Sequence, residues 1–67
     1  MSAFIAVTDS MTNQRVIVNV AQIHYMRVQG GNTLLDLGQG SFVECQESLT
    51  EVSRLITKAV EAAGIIR

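Results

Sequence analysis

The first two thirds of the chain contain short segments in which apolar residues alternate with other residues or run together. Val16, Val18 and Val20 recur at every second position, which is the period of a half-buried β-strand. Gly30-Gly31 separates two such segments, and adjacent residues that tolerate positive φ are typical of a two-residue hairpin turn. The pattern therefore predicts five strands, at about residues 4–8, 15–20, 24–29, 32–37 and 41–46.

Residues 48–64 have a helical period instead. Ser48 and Glu51 have the spacing of a capping box, in which the serine oxygen accepts a hydrogen bond from a backbone amide three residues later and the glutamate side chain reaches back to the cap residue. Apolar residues then recur every three or four positions, and Gly64 can adopt the left-handed conformation that ends a helix. We predict a helix over about residues 48–63. Its predicted buried face comprises Leu49, Val52, Ile56 and Val60.

These elements predict an α+β fold in a single domain spanning residues 1–67. A five-stranded antiparallel β-meander at about residues 3–46, either open or curled like a barrel, is followed by one C-terminal α-helix. One amphipathic helix covers only one face of such a sheet, so apolar side chains on the other face have no internal partner. The apolar and aromatic residues predicted for that outer face are Phe4 or Ile5, Ile17, Tyr25, Leu34 and Phe42. The predicted core face comprises Val16, Val18, Val20, Met26, Val28, Leu35, Leu37, Val43 and Cys45.

Composition strengthens the expectation of an uncovered apolar face. Hydrophobic residues make up 48% of the 67 residues and charged residues 16%, whereas an ordinary soluble domain has about 25% charged residues. The single cysteine, Cys45, cannot close an internal disulfide, so self-association is the remaining way to stabilise so small a core. We expect a homo-oligomer, either a dimer or a higher assembly. Its predicted interface comprises Ile17, Leu34, Phe42, Ile65 and Ile66.

Charge and hydropathy restrict the partners. The apolar runs are far shorter than the ~20 residues of a membrane span, and the N-terminus lacks the features of a signal peptide, so we expect a cytoplasmic protein that does not contact a membrane. Five basic and six acidic residues are spread along the chain without a basic block. Nucleic acid is therefore a disfavoured partner.

Three segments carry a resemblance to known families. Residues 16–23 (VIVNVAQI), 31–37 (GNTLLDL) and 47–52 (ESLTEV) resemble the short FlbD-type proteins of bacterial flagellar gene clusters. The same order of segments resembles part of the LytTR DNA-binding domain, and the likeness covers residues from about 14 to 56. The resemblance implies a fold of this kind in a bacterial or phage protein.

The LytTR resemblance also implies DNA contact through loop residues that are usually basic. The corresponding loops here, residues 9–13 and 38–40, contain no basic residue.

Few residues could carry catalysis. His24 is the only histidine, and both a catalytic triad and a zinc site need partners that the sequence does not supply, so we expect a partly buried structural histidine. Cys45 is in phase with Val43, which is typical of a buried small hydrophobe. Asp36, Glu44 and Glu47 could lie on adjacent strands, but no group that would position a substrate accompanies them. We expect no enzyme, no metal site and no cofactor.

The strongest candidates for binding lie on the predicted outward phase of the second and third strands. They are Arg15, Asn19, Tyr25 and Arg27. Guanidinium groups and an aromatic face suit the carboxylates and backbone of a partner protein, and they equally suit a phosphate-bearing base.

Three functions remain open from the sequence. The leading hypothesis is a non-catalytic, self-associating binding or regulatory module that acts through protein–protein interaction. The first alternative is an oligomeric binder or sequestering protein for a small anionic, nucleotide-like ligand. The second alternative is a DNA-associated regulator.

Overall fold

The predicted α+β class is confirmed by the structure, a computed structural model that describes residues 3–64. This part of the chain contains five antiparallel strands, one 3-10 turn and one C-terminal helix. The elements are β1 (Phe4–Thr8), β2 (Arg15–Asn19), the 3-10 turn (Val20–Gln22), β3 (Tyr25–Gln29), β4 (Asn32–Gly38), β5 (Ser41–Cys45) and α1 (Leu49–Ala62).

The single five-stranded meander was wrong, because the strands form two sheets. β1 and β2 form a two-stranded hairpin, and β3, β4 and β5 form a three-stranded sheet in that order; neither is a closed barrel. The cause lies in the 3-10 turn, whose cap residue Asn19 accepts a hydrogen bond from the backbone amide of Ala21 at 3.0 Å. This turn redirects the chain after β2, so β3 does not pair with β2. Within the described residues β2 pairs with β1, and β3 pairs with β4.

The two sheets meet where β1 and β5 end. Asp9 and Cys45 form an isolated antiparallel bridge. The backbone amide of Ser10 donates to the carbonyl of Glu44 at 2.8 Å, and the amide of Gln46 donates to the carbonyl of Thr8 at 2.9 Å. These bonds bring the start of the helix next to the hairpin.

The hairpin register decides which residues of β1 are buried. Ile5 lies opposite Val18 and Val7 lies opposite Val16, so these residues share the inner face. Ile5 and Val7 are buried in the core. The sequence had left either Phe4 or Ile5 for the outer face, and the register places Phe4 there, where it is exposed.

The three-stranded sheet also has one buried and one open face. Met26, Leu35 and Val43 form a row on the inner face, as predicted. Val28 was predicted to point into the core, yet it is 61% exposed. β3 is an edge strand, and Val28 lies at its end beside the Gly30-Gly31 turn, outside the core cluster.

One apolar cluster joins both sheets to the helix. Leu35 at the centre of the three-stranded sheet is fully buried, and Val52 is its buried counterpart on α1. Leu55 also packs against the cluster, although the predicted helix face had omitted it. The buried members of the cluster are Ile5, Val7, Val18, Leu35, Cys45 and Val52.

The end of the helix forms as the sequence predicts, and of the predicted capping box the serine half forms. The Ser48 hydroxyl oxygen accepts a hydrogen bond from the Glu51 amide at 3.1 Å. The predicted return contact from Glu51 to the cap residue does not form among the described residues, because the Glu51 carboxylate instead accepts hydrogen bonds from Arg54, one turn further along the helix. Gly64 has a φ of 74°, the left-handed conformation that closes the C-terminus.

Replacing the cap tests the start of the helix. Ser48→Ala should lower the free energy of unfolding by about 1 kcal/mol, because a backbone amide of the first turn loses its acceptor. Urea denaturation measures the change. Ser53→Ala is the matched control, since Ser53 is exposed within the helix and alanine is the better helix former there. Equal effects of the two substitutions would contradict a role for the cap.

Replacing Ile56 tests the buried face of the helix. Ile56 is partly buried against the core cluster, so Ile56→Ala should cost an amount near the lower end of about 2–5 kcal/mol. The adjacent Thr57 is exposed, and Thr57→Ala should change the free energy of unfolding by less than about 0.5 kcal/mol. A loss at Ile56 as small as that at Thr57 would show that the helix face is assigned wrongly.

Candidate functional site

The outer face of the three-stranded sheet contains an open groove of about 260 Å³. Residues directly opposite one another on neighbouring strands share a face, so the register gives the order of side chains in this groove. One row consists of Tyr25, Asp36 and Phe42, and the next has Leu34 at its centre. The residues lining this outer groove are Tyr25, Arg27, Gln29, Leu34, Asp36, Gly40, Ser41 and Phe42.

Two aromatic rings flank a carboxylate in the first row. Tyr25 is 54% exposed and Phe42 is 60% exposed, whereas Asp36 between them is half-buried. Asp36 Oδ1 accepts a hydrogen bond from the backbone amide of Gly38 at 2.7 Å. The two ion pairs found within residues 3–64 involve Glu47 and Glu51. Asp36 therefore has no cationic partner in the described part of the chain.

Leu34 forms the apolar floor of the outer groove. The sequence predicted Leu34 as an interface residue on the open face, and the register does place it on that face. It is only 7% exposed, however, because it occupies the central strand among longer side chains. Leu34 therefore has little surface left to bury against another molecule.

Polar side chains close one end of the outer groove. Arg27 Nη2 donates to Gln29 Oε1 at 3.3 Å, and Gln29 Nε2 donates to Glu44 Oε1 at 3.4 Å. Asn32 Nδ2 donates to Glu44 Oε2 at 2.8 Å. Gln29 and Asn32 lie one row beyond Arg27, so this network holds the Arg27 guanidinium on the side away from Asp36.

Arg15 belongs to a different cluster, at the junction of the two sheets. Glu47 accepts hydrogen bonds from the Thr8 amide and the Thr8 hydroxyl, both at 2.9 Å. Arg15 Nη1 lies 3.3 Å from Glu47 Oε2 and 3.2 Å from Thr8 Oγ1. Burial by itself would raise the pKa of Glu47, but the hydrogen bonds from Thr8 and the charge of Arg15 outweigh it, and the pKa is lowered.

The four predicted binding residues therefore do not form one site. Tyr25 and Arg27 line the outer groove together. Arg15 pairs with Glu47, and Asn19 caps the 3-10 turn. Asp36 completes the groove, and it could have been assigned there from the sequence. A two-residue turn at Gly30-Gly31 sets the register of the whole hairpin, and that register brings Asp36 opposite Tyr25.

A second apolar surface lies on the outer face of the β1–β2 hairpin. Ile17 is 68% exposed, and Phe4 lies diagonally across from it and is also exposed. We call these two residues the hairpin patch. Of the predicted interface residues, Ile17 lies in the hairpin patch and Phe42 at the outer groove. Ile65 and Ile66 lie outside the described residues.

His24 has a structural contact, although it is exposed and not partly buried as expected. Its imidazole ring lies against Gly38, where an added Cβ atom would come within 2.8 Å of the ring. Gly38 also has a φ of 83°, so close approach and backbone conformation both require glycine. A groove of about 360 Å³ adjoins this contact. Its lining residues are Gln22, His24, Leu37, Gly38, Gln39 and Ser41.

Cys45 is fully buried, as its phase in the strand predicted. Burial raises the pKa of its thiol, and the nearby carboxylates of Glu47 and Glu44 raise it further. The thiol is therefore in the protonated, unreactive form at neutral pH.

Residues 3–64 contain no group of three or more histidine, cysteine or acidic side chains placed to hold a metal ion. The single α-helix in this range is too short to cross a membrane.

The Glu47 cluster predicts a specific loss of stability in acid. The pKa of Glu47 in the folded state is lower than its usual value of 4.5. The ionised Glu47 therefore contributes its full stabilisation of the fold at pH values above 4.5, and this stabilisation is lost as the pH falls through the lower, folded-state pKa. Glu47→Gln should lower the free energy of unfolding at neutral pH by about 1.5–3 kcal/mol. The variant should also lose less stability than the wild type between about pH 7 and about pH 3.

Urea titrations at the two pH values measure this difference. Glu61→Gln is the matched control, since Glu61 is exposed on α1 and takes part in neither ion pair of the described residues. Glu51, whose pKa is lowered by hydrogen bonds from Arg54, contributes equally in both variants. If Glu47→Gln shows the same pH dependence as Glu61→Gln, the Thr8–Arg15–Glu47 cluster does not stabilise the fold.

Comparison of this chain with protein-family models, with curated proteins and with solved structures found no match.

Proposed function

We propose that this chain is a non-catalytic module that self-associates and acts by binding another protein. The observation that supports this proposal is the placement of large apolar side chains on the outer faces of both sheets. Phe4 and Ile17 are exposed on the hairpin, and Tyr25 and Phe42 are exposed on the three-stranded sheet. Grouped apolar side chains that the fold does not cover are typical of surfaces that bind other proteins.

The hairpin patch is the surface best suited to self-association. Within residues 3–64, β2 pairs only with β1, so its other edge has unpaired backbone groups. A two-fold axis at Ile17, the middle residue of β2, would pair β2 with its copy in antiparallel orientation. Ile17 would then face the Ile17 of the second copy, and Arg15 would face Asn19. This pairing brings no like charges together.

The edge of β3 is less suitable for the same contact. Its middle residue is Arg27, and a two-fold axis there would place two guanidinium groups opposite each other. Like charges directly opposite on paired strands are destabilising. The difference between the two edges favours β2 for a symmetric dimer.

The energy of association is consistent with a small interface. Burying a large apolar side chain contributes about 1.5–3 kcal/mol. The two Ile17 side chains meet at the axis and supply two such contacts, and backbone hydrogen bonds between the β2 strands add to them; Phe4 lies on β1, one strand away from the paired edge. Together these contacts can offset part of the estimated 4–15 kcal/mol that association costs in lost freedom.

The outer groove then remains open for a different protein. Its aromatic side chains Tyr25 and Phe42 are residues of the kind that dominate protein interfaces. Arg27 and Asp36 lie beside them and supply charges of both signs. Such a combination of rigid rings and polar groups suits one specific partner better than general adhesion.

A small anionic, nucleotide-like ligand is the second candidate. One observation favours it, namely that Tyr25, Phe42 and Arg27 line the same groove. The aromatic rings would stack on a base, and the guanidinium would contact a phosphate. The sequence had assigned Arg15 to such a pocket, but Arg15 is paired with Glu47 at the sheet junction.

The mass in solution tests the self-association. Light scattering at micromolar concentration should give a multiple of 7.3 kDa, and Ile17→Glu should reduce it to the mass of a single chain, because two carboxylates would then face each other across the axis. Ile17 is 68% exposed, so the substitution should leave the fold of one chain intact, which circular dichroism can verify.

Two further variants locate the contact. Phe42→Glu should keep the mass of the assembly, since the outer groove is separate from the hairpin patch. Thr57→Glu places the same charge on the exposed side of the helix and should also keep it. A wild-type mass near 7.3 kDa would contradict self-association, and a mass that falls only with Phe42→Glu would move the interface to the three-stranded sheet.

A further inference from the structure

The row Tyr25, Asp36 and Phe42 has the geometry of a clamp. Neighbouring strands lie about 4.8 Å apart, so the backbone positions of Tyr25 and Phe42 are about 9–10 Å apart with Asp36 midway between them. A group held over Asp36 would therefore lie about 5 Å from each aromatic side chain. That distance is within the range of about 6 Å at which a cation is attracted to an aromatic ring.

The charges at the outer groove favour a cation. The face carries two carboxylates, Asp36 and Glu44, against one guanidinium, that of Arg27. Glu44 accepts hydrogen bonds from Gln29 and Asn32. Among residues 3–64 the Asp36 carboxylate accepts one hydrogen bond, from the Gly38 amide, and has no ion pair. A half-buried carboxylate between two rings is a site that a positive group would neutralise.

The shape of the outer groove selects among cations. A guanidinium is planar and weakly hydrated, stacks on aromatic faces, and donates two parallel hydrogen bonds to a carboxylate. A lysine ammonium is a strongly hydrated point charge that makes less use of two flanking rings. The exposed rings of Tyr25 and Phe42 also offer an apolar surface to the methylene groups of an arginine side chain.

We propose that the outer groove binds an arginine side chain of a partner protein, with the guanidinium between Tyr25 and Phe42 and hydrogen-bonded to Asp36. This inference rests on the proposed protein-binding function and names the chemistry that the partner must present. Arg27 lies one row away with its guanidinium directed to Gln29. It leaves Asp36 free and limits affinity by repelling the incoming charge.

Short peptides test the proposal directly. The probes are acetyl-Gly-Arg-Gly-amide, the same peptide with lysine, and the same peptide with citrulline, which has nearly the shape of arginine but no charge. Nitrogen–proton correlation spectra of the labelled protein should show saturable shifts at Tyr25, Asp36, Gly38 and Phe42 with the arginine peptide. Affinity should be lower for lysine and at least about tenfold lower for citrulline.

Three variants identify the groups that bind. Asp36→Asn should reduce the affinity for the arginine peptide at least about tenfold while keeping an oxygen that can accept from the Gly38 amide. Phe42→Leu should weaken binding by removing one ring. Arg27→Gln should strengthen binding by removing the like charge. Glu61→Gln, on the exposed side of the helix, is the control for a general change in net charge and should have no effect.

The direction in which Arg27→Gln changes the binding affinity distinguishes an arginine site from a site for an anionic ligand. Adenosine monophosphate is the probe for that alternative, and its binding in the outer groove with a loss in Arg27→Gln would overturn the proposal. Equal affinity for citrulline or lysine, or an Asp36→Asn variant that binds like the wild type, would also overturn it.

The arginine proposal and the proposed self-association can fail separately. If the arginine peptide does not bind but the mass in solution still falls with Ile17→Glu, only the arginine site is wrong. If the peptide binds and the mass is that of one chain, the arginine site stands and self-association is wrong.

Discussion

The packing of one helix against two sheets is the constraint on which the rest of this structure depends. α1 contacts β1, β3 and β4, and its buried residue Val52 meets side chains from both sheets in one cluster. A chain of 67 residues has no second helix in its described part to cover the other faces. The helix therefore packs on the inner faces of the sheets, and the apolar residues on the outer faces remain at the surface. Ile17 and Phe42 are exposed for this reason.

Residues with a local cause could be predicted from the sequence. Ser48 caps the helix because its hydroxyl lies three residues before a free amide, and Gly30-Gly31 forms a turn because both residues adopt positive φ. The division into two sheets could not be predicted from the alternation of apolar and polar residues. The 3-10 turn that follows Asn19 interrupts the alternation, but which strands pair on either side of it depends on contacts far along the chain, such as the bridge from Asp9 to Cys45.

The candidate site shows the same limit. Arg15 and Arg27 have the same outward phase on consecutive strands, and phase alone suggested that they lie together. Once β2 and β3 belong to different sheets, a shared phase does not imply a shared site. Arg15 instead meets Glu47, which is 32 residues away in sequence. Val28 illustrates the converse case, because it has the inward phase but lies at an exposed end of an edge strand. The phase of the alternation along a strand predicts which face of the sheet a residue lies on. Its neighbours on that face depend on which strands pair with each other.

The hairpin patch and the outer groove would together determine how tightly a partner binds. A single arginine side chain bound by two rings and one carboxylate at an open surface gives weak affinity, since each such contact contributes little where water has access. A dimer joined through β2 would carry two outer grooves. A partner with two arginines at the right separation would then bind its second groove at the effective concentration set by the segment between them, and would gain affinity without any new contact. Self-association through the hairpin patch would thus change which partners the outer groove can retain, although the patch itself does not touch them. In this arrangement the small core and the weak groove are compensated by the same event, the pairing of two chains.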